Sequence, residues 1–158
     1  MAKEIERKFL VKSNEWKKSG QPQFYQQAYL VIQKSVTVRV RLIGESAYLT
    51  IKNAAINFSR DEFEYKIPLE DARFMIEHLC EKPAIQKYRT KVEVGDFIWE
   101  IDEFTGENEG LLIAEIELKN PEQQFLLPDW IGQEVTGDHR YNNSYLVQHP
   151  FNKWKKNE

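Results

Sequence analysis

The chain has 158 residues, 41% hydrophobic and 30% charged, with a mean hydropathy of −0.63, a composition that reads as a soluble globular protein able to bury a real core. Its 22 basic and 25 acidic residues, net −3, argue against a general nucleic-acid surface. Cys80 stands alone, which excludes an internal disulfide and a cysteine zinc site, and His78, His139 and His149 lack ligand spacing.

Residues 3–11 alternate and predict a first strand. The polar stretch Ser13–Gly20 suits a short helix before Pro22. Residues 23–33, 36–43 and 47–53 are rich in Tyr, Val, Ile and Thr and predict strands, and 60–67 predict a fifth, stopped by Pro68. Leu69, Ala72, Met75, Ile76 and Leu79 fall at helical spacing, so 69–80 predict an amphipathic helix. Strands follow at 85–94 and 97–104, joined by a Gly95-Asp96 turn, and at 111–119 before Pro121. The tail predicts two short helices, 121–126 and 139–148, and fraying over 153–158. The start of the chain lacks the apolar core of a signal peptide, and no run reaches transmembrane length. A single cytoplasmic domain over 1–158 of α+β class is expected, with eight mostly hairpin-connected antiparallel strands and flanking helices.

Six stretches carry charges two residues apart: Glu4-Ile-Glu6-Arg7-Lys8, Arg39-Val-Arg41, Arg60-Asp-Glu62-Phe-Glu64, Lys87-Tyr-Arg89, Glu100-Ile-Asp102 and Glu115-Ile-Glu117-Leu-Lys119. On a strand, residues two apart share a face. One charged face is normally a solvated one. Here like charges sit side by side, where they repel unless something of opposite sign lies between them. The pattern therefore predicts a closed or strongly curved sheet around a mixed-sign cavity whose guest is a metal-bound polyanion.

Sorted by sign, two sets emerge. Lys8, Arg39, Arg41, Lys52, Lys87 and Arg89 suit phosphate oxygens, arginine through its planar fork and lysine as a point charge. Glu4, Glu6, Glu100, Asp102, Glu115 and Glu117 form an all-oxygen set that favours Mg²⁺ or Mn²⁺. No Ser-His-Asp or Cys-His arrangement and no glycine-rich phosphate loop offers another chemistry.

These motifs resemble the CYTH superfamily, the triphosphate tunnel metalloenzymes. The resemblance runs from Glu4-x-Glu6-x-Lys8 through Gln27-Ala28-Tyr29-Leu30, Arg39-x-Arg41, Lys52, Glu62-x-Glu64, Lys87-x-Arg89, Glu100-x-Asp102-x-Phe104 and Glu115-x-Glu117 to Val135-Thr136-x-Asp138-x-Arg140-Tyr141. It implies an eight-stranded antiparallel tunnel that hydrolyses or cyclises a triphosphate. It further implies that Lys8, Arg39, Arg41, Lys52, Lys87 and Arg89 hold the triphosphate, with Arg140 closing one tunnel end. Glu4, Glu6, Asp102, Glu115 and Glu117 would hold or orient Mg²⁺ or Mn²⁺. Glu4, Glu6 and Lys8 would be catalytic; Glu62, Glu64 and Tyr29 would support them. The chain departs from the family's frequent glycines at Ala28 and Asn53, and asparagine tolerates positive φ.

Of the family's activities, hydrolysis of inorganic tripolyphosphate to diphosphate and phosphate fits such a chain best. Class IV adenylate cyclase, thiamine triphosphatase and RNA triphosphatase are the alternatives, and a non-catalytic polyphosphate- or nucleotide-binding module is the alternative of another kind. A small-molecule triphosphate is the expected partner, without nucleic acid or membrane, in a possible homodimer. Trp16, Trp130 and Trp154 are expected to pack helices onto the outer strands.

Overall fold

The structure, a computed structural model, describes residues 3–54, 56 and 59–154. Nine strands form: β1 (Lys3–Val11), β2 (Pro22–Ile32), β3 (Val36–Ile43), β4 (Ser46–Asn53), β5 (Ser59–Ile67), β6 (Ile85–Val94), β7 (Phe97–Phe104), β8 (Leu112–Glu117) and β9 (Ile131–Glu134). The first eight run β5-β4-β3-β2-β6-β7-β8-β1, every neighbour antiparallel. β1 then pairs back onto β5, from Lys3↔Asp61 to Ile5↔Ser59, which closes an eight-stranded barrel. Beyond this short ladder β1 takes the ninth strand, pairing Phe9 with Glu134 and Val11 with Ile131.

The barrel is built inside out. Alternation turns the charged residues inward, so most of the apolar core lies on the outer face. Phe9, Trp99, Ile101, Ile116 and Leu118 pack there beneath Trp16 and Trp130. Trp16 belongs to the 3₁₀ turn Glu15–Ser19, the short helix expected before Pro22. A second cluster, Ala28, Val40, Ala47 and Ala72, lies under α1 (Leu69–His78). A third lies on the inward side, where Tyr29, Ile85, Phe104 and Ile113, in phase with the charged residues of their strands, pack against Leu146 and Val147 of α2 (Asn143–Gln148), with Trp154 packed against the cluster. Gly95 takes φ +63° in the β6–β7 turn, a left-handed value that favours glycine.

Two expectations change. Residues 121–126 are not helical: a turn at 121–122 leads into irregular chain. The Asn120 and Gln123 side chains accept the backbone N–H groups of Glu122 and Lys119, local bonds that compete with a helix. The segment carries Phe125 across the outer face, with ring centroids 6.2 Å from Phe9 and 6.0 Å from Trp99. The tail helix 139–148 breaks in two, a 3₁₀ turn at His139–Tyr141 followed by α2. Of the residues expected to fray, 155–158 lie outside the described ones. No described helix is long and apolar enough to cross a membrane.

Candidate active site

The barrel interior is a cavity of about 200 Å³ to which every barrel strand contributes. β1 supplies Glu4, Glu6 and Lys8; β3 Arg39 and Arg41; β4 Thr50 and Lys52; β5 Arg60, Glu62 and Glu64. Lys87 and Arg89 come from β6, Glu100 from β7, Glu115 and Glu117 from β8, and Tyr29 from β2. The lining thus holds seven carboxylates and seven cations.

They are segregated by position in the ring. β2 lies across the barrel from β1. It is flanked by the Arg39/Arg41 pair and the Lys87/Arg89 pair, which form a basic wall. Opposite stands an acidic wall in which Glu6 of β1 faces Glu117 of β8 in register and Glu115 faces Lys8 and Glu100.

On the acidic wall, burial together with Glu115 and Glu4 pushes the Glu6 carboxyl up to about 8. Burial with Glu4, Glu62 and Glu100 also raises Glu117. Burial would raise Glu4 too, but Lys52 at 3.1 Å and Arg60 at 3.2 Å draw it down to about 2. Lys8 Nζ lies 3.4 Å from Glu115 and donates to the Tyr141 carbonyl at 3.1 Å.

On the basic wall, burial and the neighbouring Arg39 and Arg89 charges lower Arg41 to about 10. Among the described residues the carboxylate that partners the β3 pair is Glu64, at 3.8 Å from Arg39 and 3.5 Å from Arg41; it also accepts from Thr50 Oγ1 at 2.9 Å, and Arg39 Nη2 donates to the same hydroxyl at 3.3 Å. The Nε atoms of Arg39 and Arg41 are buried without a hydrogen-bond partner among the described residues. These are buried donors whose acceptor the described residues do not supply.

Asp102, expected among the metal ligands, is engaged by the cations of the basic wall. It is 2% exposed and absent from the cavity lining. Its oxygens accept from Arg89 Nε at 2.7 Å, Arg89 Nη2 at 2.9 Å and Lys87 Nζ at 2.8 Å. Burial works against ionisation, yet Arg89 and Lys87 hold this carboxyl far below the usual range. It braces the basic wall from behind.

Arg140 likewise departs from expectation. Its side chain is 53% exposed, pairs with Asp138 at 2.6 Å and lies over the Tyr141 and Trp154 rings, away from the cavity. Asn142, Asn143 and Ser144 line the cavity instead, Asn143 accepting from Lys87 at 3.4 Å. Conversely Arg60, left out of the basic set, lies between Glu4 and Glu6, 3.9 Å from the latter. Its parity with Glu62 and Glu64 was the available signal.

The donor set fits a hard divalent cation: all oxygen, with like charges face to face. Among the described residues no three acidic or histidine side chains already converge as a ready ligand cage. The interposed Lys8, Lys52 and Arg60 partner these carboxylates instead.

Comparison with known proteins agrees with this geometry. An inorganic triphosphatase of Acetivibrio thermocellus is 49% identical over 156 residues, 99% of this chain and all of that protein. One of Nitrosomonas europaea is 32% identical over 149 residues, 91% of this chain and 96% of that one. A crystal structure of an inorganic triphosphatase superposes with a TM-score of 0.64 at 31% identity, over 90% of this chain and 96% of that chain. The CYTH domain profile matches residues 2–144, and with these relatives and this charged tunnel the chain belongs to the CYTH family.

Proposed function

We propose that the protein hydrolyses inorganic tripolyphosphate to diphosphate and phosphate inside the barrel, with a divalent cation. The observation that carries this is the segregation of charge: four cations on β3 and β6 across the cavity from four carboxylates on β1 and β8. A polyanion and a cation can then share one enclosed space without either facing like charge.

Arg39, Arg41, Lys87 and Arg89 bind and orient the phosphate chain, and Asp102 fixes the last two. Phosphoryl transfer needs positioning and charge stabilisation more than covalent chemistry, and a preset wall of donors supplies both. A divalent cation held by Glu4, Glu6, Glu115 and Glu117 would supply Lewis-acid polarisation and a more acidic water. Lys52 and Arg60 keep Glu4 ionised. Lys8, on β1 beside Glu115, offsets part of the carboxylate charge on the side of the cavity away from the basic wall.

Phosphate release from tripolyphosphate, ATP and thiamine triphosphate, each with Mg²⁺, Mn²⁺ or chelator, tests the reading. Chelator-sensitive cleavage of tripolyphosphate well above the other two is expected. Release from none would overturn it and direct attention to cyclic AMP formation or binding alone. Arg39→Ala removes a charge-assisted contact and is expected to raise KM for tripolyphosphate by roughly 10-fold or more, with a smaller change in kcat. An unchanged KM would take Arg39 out of the phosphate contacts.

A further inference from the structure

β2 is unlike its neighbours. Its inward residues Tyr25, Gln27 and Tyr29 carry no charge, although each stands opposite a cation of the basic wall in register: Tyr25 opposite Lys87, Gln27 opposite Arg41 and Tyr29 opposite Arg39. Tyr25 has an evident task, since Arg41 and Arg89 lie over its ring at 5.3 and 5.1 Å. Gln27 has none. It is 0% exposed, and neither its Nε2 nor its Oε1 has a hydrogen-bond partner among the described residues.

A buried primary amide with both ends unmet is destabilising, by the desolvation of each group. Such a group is retained where it serves something besides the fold. Directly opposite Gln27 in register, on β3, stands Arg41, whose buried Nε is itself unpartnered. Side chains opposite each other on one face have Cβ atoms about 5 Å apart. An amide oxygen without a donor and a guanidinium Nε–H without an acceptor are therefore neighbours.

We propose that Gln27 is a positioning residue for the triphosphate: with substrate seated, its Oε1 accepts the Nε–H of Arg41 and turns the outer guanidinium nitrogens toward the phosphate. This rests on the triphosphate reading above. The residue's neutrality matters. A carboxylate at position 27 would hold Arg41 equally well but would cancel part of the positive field that the wall offers the anion, whereas an amide orients without neutralising.

The test is a double-mutant cycle with Gln27→Met, which keeps an unbranched chain without the amide, and Arg41→Ala. Calorimetric titration with inorganic tripolyphosphate under chelator gives affinity without turnover; urea unfolding gives stability. Gln27→Met is expected to hold or raise the urea midpoint, weaken tripolyphosphate binding roughly 5- to 20-fold and raise KM with kcat nearly unchanged. On the Arg41→Ala background the same substitution is expected to do nothing further. Unchanged affinity in Gln27→Met, or an equal loss on both backgrounds, overturns the proposal, as does a fall in stability with affinity intact. Gln27→Leu takes its place in the cycle if the methionine variant does not fold. Wild-type protein that binds tripolyphosphate without cleaving it removes the hydrolytic reading while leaving the cycle to judge Gln27. Wild-type protein that does not bind it overturns both.

Discussion

Asp102→Ala is expected to destabilise the protein by about 3–5 kcal/mol, because it strands two buried cations at once. Lys87 and Arg89 are both buried, and the three shortest bonds that compensate them end on this one carboxylate, Glu100 at 3.2 Å and Glu115 at 3.5 Å being the further acidic partners of Arg89. For a domain of this size the loss corresponds to a fall of roughly 10 °C in Tm. Asp102→Asn, which retains one acceptor oxygen, is expected to lose less. The pH dependence has a definite sign. A carboxyl whose folded pKa is depressed adds stability that is fully present above its unfolded value of about 4 and lost as pH falls through the folded value. The stability gap between wild type and Asp102→Ala should therefore close in strong acid and, on the alkaline side, narrow as Lys87, already lowered to about 8 by burial, loses its proton. Thermal melts of both proteins across pH check it; a gap that opened between pH 6 and 9 would contradict the assignment.

Glu4→Gln is expected to cut kcat on tripolyphosphate by at least ~100-fold, since it removes a charge from the cation's wall while changing little in shape. Lys52 and Arg60 hold Glu4 near 2, so the native side chain is ionised throughout the working range and the variant isolates charge. Glutamine keeps an acceptor oxygen for both donors, and the urea midpoint should move little. Activity measured against Mg²⁺ concentration is the discriminating readout: the variant should need more metal. An unchanged metal dependence would remove Glu4 from the metal-holding carboxylates.

Most of the barrel is legible in the sequence because its signal is the strongest a strand can give. Like charges two apart, with aliphatic or aromatic neighbours between them, fix both the face and its inward direction, as at Arg39-Val-Arg41 and Glu115-Ile-Glu117. Parity says nothing of depth. Glu100 and Asp102 share one face, yet Glu100 lines the cavity while Asp102 is sealed behind Lys87 and Arg89. β9 is four residues long and contains Gly132, too little pattern to distinguish it from a loop. The 121–126 segment has no helical reason to exist once Asn120 and Gln123 satisfy the backbone locally. Arg140 sits two residues from Asp138, and that contact decides its direction.

β1 is the keystone of the ring. Its partners lie at residues 59–61, 113–117 and 131–134, so both its edges are satisfied only by chain made long after it. During synthesis, Glu4 waits for Arg60 of β5, and Glu6 and Lys8 wait for Glu117 and Glu115 of β8, more than a hundred residues further along. Pairings of such long sequence separation are slow to form. The tunnel therefore cannot mature piecemeal from its first end: chemistry becomes available in a single late step, when the strand made first finds the partners made last.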